Sequence, residues 1–168
     1  VNPSTNLVYI ADWTTVIGEY DRVRVYHGET LTLITTVNIP GSNESTTIQR
    51  VGVAVNPDTN RTYATWSGNN TLYAIDGNTH EIIKTVSPSS FSETVTVNPF
   101  TNYVYVGKAV LDGETLEEVI SDYHGDLKAV NSLHNLLYTT ESETIYVLNG
   151  TTHGILDSLV LDWWISPY

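Results

Sequence analysis

The sequence lacks two residue types altogether, because it contains no cysteine and no methionine. Without cysteine there is no disulfide framework, no thiolate metal site and no cysteine nucleophile. Without methionine the chain does not begin at a start codon, so we expect a processed product or a piece of a longer protein. No stretch approaches the roughly 18 consecutive apolar residues of a membrane-spanning helix. The N-terminus shows no signal-peptide pattern.

Basic residues are scarce: Lys and Arg total seven against 19 carboxylates, which gives a net charge of −12. Nucleic-acid binding requires a basic patch, and so does binding to an anionic membrane. We therefore expect neither nucleic-acid partners nor membrane insertion. The composition, 40% hydrophobic and 15% charged, is typical of a folded globular protein.

One phrase recurs four times along the chain, as VNPSTNLVY, VNPDTNRTY, VNPFTNYVY and VNSLHNLLY. In each copy a second Asn follows the first after four residues, and a Tyr follows it after seven. The first Asn is Asn2, Asn56, Asn98 or Asn131, the second is Asn6, Asn60, Asn102 or Asn135, and the Tyr is Tyr9, Tyr63, Tyr105 or Tyr138. This regular spacing indicates an internal structural repeat.

A second marker follows in each copy: YHGETL, IDGNTH, LDGETL and LNGTTH, with the glycines Gly28, Gly77, Gly113 and Gly150. Asp-Gly and Asn-Gly favour positive φ angles in tight hairpin turns, and alternating apolar residues flank each turn. VNPxTN is also typical of a turn. Each unit therefore contains four short strands. The steps between units, 54, 42 and 33 residues, bracket the ~40–45 of a four-stranded propeller blade.

The pattern V-N-P-x-T-N…Y-V followed by I-D-G-x-T resembles the YVTN-type β-propeller repeat of archaeal and bacterial surface proteins. No segment has a helical period. We predict an all-β fold, a β-propeller or propeller segment of about four four-stranded antiparallel blades. The predicted domain spans 1–168, with blades at approximately 1–50, 51–92, 93–126 and 127–161. We expect a terminal strand at 162–168, whose Trp163 and Trp164 pack against the first blade or a neighbouring molecule.

The repeated Tyr residues are interpreted as packing between blades, so all four are expected to be buried. The five His residues have no metal-ligand spacing, and the acidic run DGETLEEVISD is interpreted as an exposed hairpin. We find no nucleophile elbow and no phosphate-binding loop. The sequence therefore predicts no catalytic residue, no cofactor and no metal site.

Four N-x-S/T sequons fall in predicted turns or insertions, where a sugar would stand off the surface. They predict glycosylation at Asn43, Asn60, Asn69 and Asn149. Incidental sequons in a chain rich in Asn and Thr are the alternative. Glycosylation, low Lys content and an acidic surface favour an extracellular location.

The resemblance implies a structural or adhesive propeller at the cell surface, without catalysis, as a subunit of a surface layer or filament. Its expected partners are other copies of itself, other surface proteins and glycans. The alternative is a propeller enzyme of lactonase or oxidoreductase type, with a site at the central channel. Fold alone does not separate these functions.

Overall fold

The computed structural model describes residues 1–44 and 49–161. Within these ranges the chain forms strands and a single 3₁₀ turn at Ser42–Glu44. The strands are β1 (Leu7–Asp12), β2 (Arg22–His27), β3 (Leu33–Asn38), β4 (Val51–Asn56), β5 (Arg61–Trp66), β6 (Thr71–Asp76), β7 (Ile82–Val86), β8 (Val95–Asn98), β9 (Tyr103–Val106), β10 (Ala109–Asp112), β11 (Glu118–Ile120), β12 (Asp126–Asn131), β13 (Leu136–Glu141), β14 (Thr144–Asn149) and β15 (Ile155–Val160). The predicted all-β class is confirmed.

Consecutive strands pair antiparallel into four separate sheets, which we call blades 1 to 4. Blade 1 contains β1–β3, and the others contain β4–β7, β8–β11 and β12–β15. In blade 1 a single bridge between Asn2 and Leu7 stands where the other blades have a first strand. The predicted terminal strand at 162–168, with Trp163 and Trp164, lies outside the described residues.

The hydrophobic core is divided into three clusters, and each lies between two successive blades. Tyr9 and Val25 of blade 1 pack with Tyr73 and Ile75 of blade 2. Two equivalent clusters join blade 2 to blade 3 and blade 3 to blade 4. Among the described residues no core cluster joins blade 4 to blade 1. The blades therefore form a series in which each is stabilised by its neighbours.

The alternation of side chains in each strand explains this arrangement, because successive residues point to opposite faces of a sheet. In β5, Tyr63 faces blade 3 while Ala64 faces blade 2's other neighbour, blade 1. Both faces of an interior blade are apolar, so both are covered. The inner strands β5 and β6 are accordingly almost wholly buried, whereas the outermost strand β7 is largely exposed.

The two ends of the blades differ in what they carry. The antiparallel order places the VNPxTN turns and the glycine turns at one end, which we call the turn rim. The opposite end, the loop rim, carries the β1–β2 loop, the short Gly107–Lys108 connection and the segments between blades. No helix in the described ranges is long and apolar enough to cross a membrane.

The prediction that all four repeated Tyr residues are buried is confirmed for Tyr9, Tyr63 and Tyr105. It is wrong for Tyr138, which is half-buried. Tyr138 faces away from blade 3, and no described blade follows blade 4 to cover it.

The predicted glycine turns lie at the expected places, between the third and fourth strands of each unit, but the predicted reason for glycine is wrong. Gly28, Gly77, Gly113 and Gly150 do not have positive φ. The left-handed residue comes three positions later, and it is Leu31, His80, Leu116 or His153. Glycine is required there for space, as the turn-rim contacts show.

Candidate functional site

A side-chain hydrogen bond between two asparagines joins successive blades at the turn rim. Asn2 Nδ2 donates to Asn60 Oδ1 at 2.7 Å. The same bond recurs from Asn56 to Asn102 and from Asn98 to Asn135, both at 2.8 Å. The donor is always the first Asn of a repeat, and the acceptor is the second Asn of the next repeat. We call the set of contacts built around this bond the inter-blade joint.

The donor asparagine is fixed by its own turn. Asn56 is fully buried, and its Oδ1 accepts the backbone N–H of Asp58 at 3.0 Å. Asn2 and Asn98 accept the equivalent N–H groups of Ser4 and Phe100. Because the oxygen is held by the turn, the amide group points across to the next blade.

The acceptor asparagine is held against the glycine turn of its own blade. Asn60 has a left-handed backbone with φ of 50°, which Asn tolerates better than most residues. Its carbonyl oxygen accepts the Gly77 N–H at 2.8 Å. A Cβ atom on Gly77 would lie 2.3 Å from Asn60 Oδ1. Glycine at this position therefore leaves the space that the acceptor side chain occupies.

Two of the repeated tyrosines, Tyr63 and Tyr105, reach the glycine turn of the next blade with their hydroxyl groups. Tyr63 Oη donates to the Gly113 carbonyl at 2.7 Å. Tyr105 Oη lies 3.5 Å from the Gly150 carbonyl and 3.2 Å from His153 Nε2. Burial raises the pKa of both tyrosines, so each hydroxyl keeps its proton and acts as a donor.

In blades 2 to 4 the left-handed residue of the glycine turn packs on the tyrosine of the preceding blade. The His80 ring lies 6.4 Å from the Tyr9 ring, and Leu116 belongs to the same buried cluster as Tyr63. His153 packs among Tyr103, Tyr105 and Tyr123. Burial lowers the pKa of His153, so its neutral form is favoured.

The two insertions of the first repeat meet at the loop rim around a buried carboxylate. Asp21 is 1% exposed. Its oxygens accept the Trp66 Nε1–H at 3.0 Å and the Thr14 N–H at 2.8 Å. The Asp21 N–H donates to Ser42 Oγ at 2.8 Å. This cluster adds a polar contact between blades 1 and 2 at the end opposite the inter-blade joint.

The same insertions present apolar side chains to solvent. Trp13, Val16 and Ile17 are exposed, and Ile17 is 71% exposed. The Gly18 N–H donates to the Asn43 carbonyl at 3.0 Å, which ties the loop to the second insertion. The result is an ordered apolar projection on the loop rim.

A cleft of about 410 Å³ lies between blades 3 and 4 on the loop rim, and Lys108, Tyr123 and Asp126 are among the residues that line it. Lys108 Nζ donates to the Tyr123 carbonyl at 3.2 Å and also to the Gly125 carbonyl. Burial raises the pKa of Tyr123 to about 12. The Tyr123 hydroxyl donates to the Gly107 carbonyl at 2.9 Å, so both side chains are held by hydrogen bonds to the backbone.

The histidines and acidic residues singled out in the sequence are dispersed in the fold. His80 and His153 occupy equivalent turn positions, as their spacing predicted, and His134 is exposed in a VN turn. Within residues 1–44 and 49–161, no three His, Asp or Glu side chains converge as ligands for a metal ion. In the acidic hairpin, backbone N–H groups, first that of Thr115, lower the pKa of Asp112.

The four sequon asparagines lie at both rims. Asn69 is exposed in the β5–β6 turn, and its side-chain oxygen accepts the Thr71 hydroxyl. Asn43 is half-buried in the 3₁₀ turn. Asn149 caps its own glycine turn by accepting the Thr151 N–H at 2.9 Å. The structure does not test glycosylation, which stays a prediction.

The Asn60 amide differs from the others, because it already serves the joint on one side and donates to Asn78 Oδ1 at 3.1 Å on the other. A sugar on this nitrogen would replace one of its two hydrogens. Asn60 is therefore the most constrained of the four sequons.

Sequence reasoning missed the amide-to-amide bonds and the buried carboxylate. The bonded asparagines are 58, 46 and 37 residues apart. The available signal was the invariance of both asparagines, where one would suffice for a turn. Nothing in the sequence pairs Asp21 with Trp66.

No protein-family model and no curated protein matches the sequence. Solved structures do match. The chain is similar to hydrazine synthase of Kuenenia stuttgartiensis, with 16% identity and a TM-score of 0.62 over 83% of this chain and 43% of that one. For the dihydro-heme d1 dehydrogenase NirN the identity is 15% and the TM-score 0.65, over 96% of this chain and 36% of that one. For the β-propeller domain of Myceliophteria thermophila Cps50 (Swd1) the identity is 9% and the TM-score 0.63, over 94% of this chain and 58% of that one.

At these identities the likeness shows the fold alone, and the fold is that of a β-propeller. The chain spans between about a third and three fifths of the structures it matches, from 36% to 58%. Four consecutive blades therefore match part of a propeller.

Proposed function

We propose that this chain is a non-catalytic β-propeller, or part of one, with a structural or adhesive role at the cell surface or in an extracellular assembly. The observation that carries the proposal is that the repeated residues contact the neighbouring blade. The asparagines, glycines and tyrosines of the repeat are engaged in joining one blade to the next. The repeated chemistry therefore serves architecture, and the parts that vary between blades are left for recognition.

The adhesive part of the proposal rests on the loop rim. Trp13, Val16 and Ile17 form an exposed apolar projection on a loop that is itself hydrogen-bonded. Exposed apolar groups of this kind mark interaction sites. Partners would be other copies of the chain, other surface proteins or glycans.

The extracellular location is supported by the sequons and by the resemblance to YVTN-type surface proteins. Asn69 has the most open position of the four, so we expect the highest glycan occupancy there. Occupancy at Asn43 and Asn149 should be lower, and at Asn60 the lowest.

Glycopeptide mapping and protease shaving of intact cells of the native source test this proposal together. We expect peptides of this chain to be released by external protease, with a glycan on Asn69. A chain that is protected in intact cells and has the mass of bare polypeptide would contradict it.

The alternative is a propeller enzyme with a site at the central channel, and the observation that favours an enzyme is the cleft between blades 3 and 4. Elemental analysis of the purified chain, and its thermal unfolding with and without EDTA or calcium, separate the two. A tightly bound stoichiometric metal would overturn the non-catalytic proposal.

A further inference from the structure

Among residues 1–44 and 49–161, the two ends of the blade series carry the two halves of the inter-blade joint that have no counterpart. Blade 4 has the donor half, with Asn131 and Tyr138 at the positions of Asn98 and Tyr105. Blade 1 has the acceptor half: Asn6 is left-handed like Asn60, with φ of 54°, and its carbonyl accepts the Gly28 N–H at 2.7 Å. A Cβ on Gly28 would lie 2.2 Å from Asn6 Oδ1, as at the formed joints.

The outer face of blade 4, which points away from blade 3, carries the residues that correspond to those buried under the next blade elsewhere in the chain. Val147 pairs with Tyr138 as Ala74 pairs with Tyr63. Ala74 is buried, whereas Val147 is only half-buried. Leu159 on the outermost strand is 61% exposed. Asp157 lies opposite Val147 on the same face, which no described residue covers.

The outer face of blade 1 is uncovered in the same way. Leu31 is 66% exposed, whereas Leu116 at the equivalent position is 3% exposed under Tyr63. Ile10 is 48% exposed, and its equivalent Ala64 is buried.

One part of this face is polar. Arg24 and Asp12 form an ion pair at 2.6 Å where blade 2 has Tyr73 and Trp66. Asp12 also pairs with Arg22 at 3.3 Å, and Arg22 contacts Glu19 at 3.4 Å, so each of these four charges keeps a partner of opposite sign when the face is covered.

We propose that blade 4 of one copy docks on blade 1 of a second copy, head to tail, through the joint already present three times within the chain. Asn131 donates to Asn6 of the second copy, the Tyr138 hydroxyl donates to the Gly28 carbonyl, and Leu31 covers the Tyr138 ring. Continuity with the internal joints selects this occupant, because both halves of the joint are present on one chain. Such a heterologous contact either closes a ring or extends a filament.

This inference specifies the self-association that the proposed function includes, and it rests on that function only for its biological setting. It is tested on the purified chain by light scattering after size exclusion, without reference to location or glycans. Val147→Lys blocks the donor face, and Ile10→Lys blocks the acceptor face. Ile83→Lys, at an exposed position on the outermost strand of blade 2, is the matched control. Lysine reduces the net negative charge, so loss of association cannot come from added repulsion between acidic chains.

The wild type and Ile83→Lys should associate in a concentration-dependent way. Each blocked variant alone should be monomeric, with association weakened at least ~100-fold because docking would desolvate the lysine ammonium group. An equal mixture of the two blocked variants should form a heterodimer, since each keeps the half that the other lacks. Circular dichroism of each variant verifies the sheet content.

A monomeric wild type at all concentrations would overturn the proposal. Association of either blocked variant alone would also overturn it, because it would indicate that blade 1 pairs with blade 1 or blade 4 with blade 4. A mixture that stays monomeric would overturn it as well. None of these results bears on cell-surface location, so failure here is distinct from failure of the proposed function.

Discussion

The side-chain amide of Asn56 donates to the side-chain oxygen of Asn102 at 2.8 Å, across the interface between blades 2 and 3. Each asparagine is also fixed within its own blade, Asn56 by the Asp58 N–H and Asn102 by the Gly113 N–H. The bond therefore links two local turns that are separately ordered. Little further side-chain entropy is lost when the blades meet, which favours the joint.

Removing the donor tests the energy of this bond. Asn56→Ala removes both the turn cap and the bond to Asn102. Asn131→Ala, the control in blade 4, removes a similar cap to the His134 N–H and no described bond to another blade. We expect Asn56→Ala to cost about 1–2 kcal/mol more free energy of unfolding than the control, since it leaves the half-buried Asn102 acceptor without its donor. Urea unfolding at concentrations where the chain is monomeric measures this difference, and equal losses would contradict the joint.

The steric role of the turn glycines gives a second prediction. In Gly77→Ala the new Cβ would meet Asn60 Oδ1 at 2.3 Å and the Asn60 carbonyl oxygen at 2.4 Å. We expect a loss of about 1–3 kcal/mol, typical of overpacking. In the control Gly154→Ala the new Cβ would lie 3.5 Å from Thr152 Oγ1, its nearest neighbour beyond the adjacent residues, so stability should change by less than about 0.5 kcal/mol. Thermal unfolding compares the two variants. Similar losses of stability would mean that contact with Asn60 is not the reason for glycine at position 77.

The all-β fold could be predicted from the sequence because its signals are local. Asn-Gly and Asp-Gly turns and the VNPxTN turn divide the chain into short apolar strands, and a four-residue turn is complete within itself. The burial of Tyr63 also followed from the period of the repeat. Local chemistry repeated at a fixed spacing is enough to define blades.

What could not be predicted depends on contacts between distant residues. Sequence reasoning assigned Gly77 to a positive φ, because the clash with Asn60 becomes visible only when the two turns are placed together. Tyr138 was expected to be buried because the repeat does not state which blade lacks a covered face. The Asp21–Trp66 bond joins an insertion to a regular strand, and an insertion has no counterpart in the other units.

The Tyr63 hydroxyl gives a third prediction. Tyr63→Phe removes its 2.7 Å bond to the Gly113 carbonyl while keeping the packing of the ring. We expect a loss of about 1 kcal/mol. Tyr138→Phe, the control at the half-buried equivalent position, should have little effect in the monomer. A chemical denaturation series of both variants decides this, and a neutral Tyr63→Phe would mean that the hydroxyl bond adds no net stability.

His153 makes the joint between blades 3 and 4 sensitive to pH. Burial lowers its pKa in the folded state below the ordinary value of 6.5, so the unfolded chain binds more protons between these two values. The free energy of unfolding should therefore fall as the pH drops below about 6.5 and level off below the folded pKa. His153→Leu, which places at this turn the residue found at positions 31 and 116, should remove this contribution. His134→Leu at an exposed site is the control, and an unchanged pH dependence in His153→Leu would contradict the assignment.

Variants of the bond between Asp21 and Trp66 test whether the insertions of blade 1 stabilise the interface between blades 1 and 2. The Asp21 carboxylate is buried and accepts two N–H groups, those of Trp66 Nε1 and Thr14. Trp66→Phe keeps an aromatic ring in the cluster but leaves one carboxylate oxygen without its donor. Hydrogen bonds to charged groups contribute about 1.5–3 kcal/mol, so we expect a loss of that size in addition to the change in packing.

Asp21→Asn should also destabilise the protein, because the amide would turn a donor towards one of two N–H groups that both require an acceptor. If the insertion and the strand form one unit, the double variant should lose less than the sum of the single losses, with a coupling of about 0.5–3 kcal/mol. Strictly additive losses in a urea-unfolding cycle would mean that the loop folds onto the rim without holding blade 1 to blade 2.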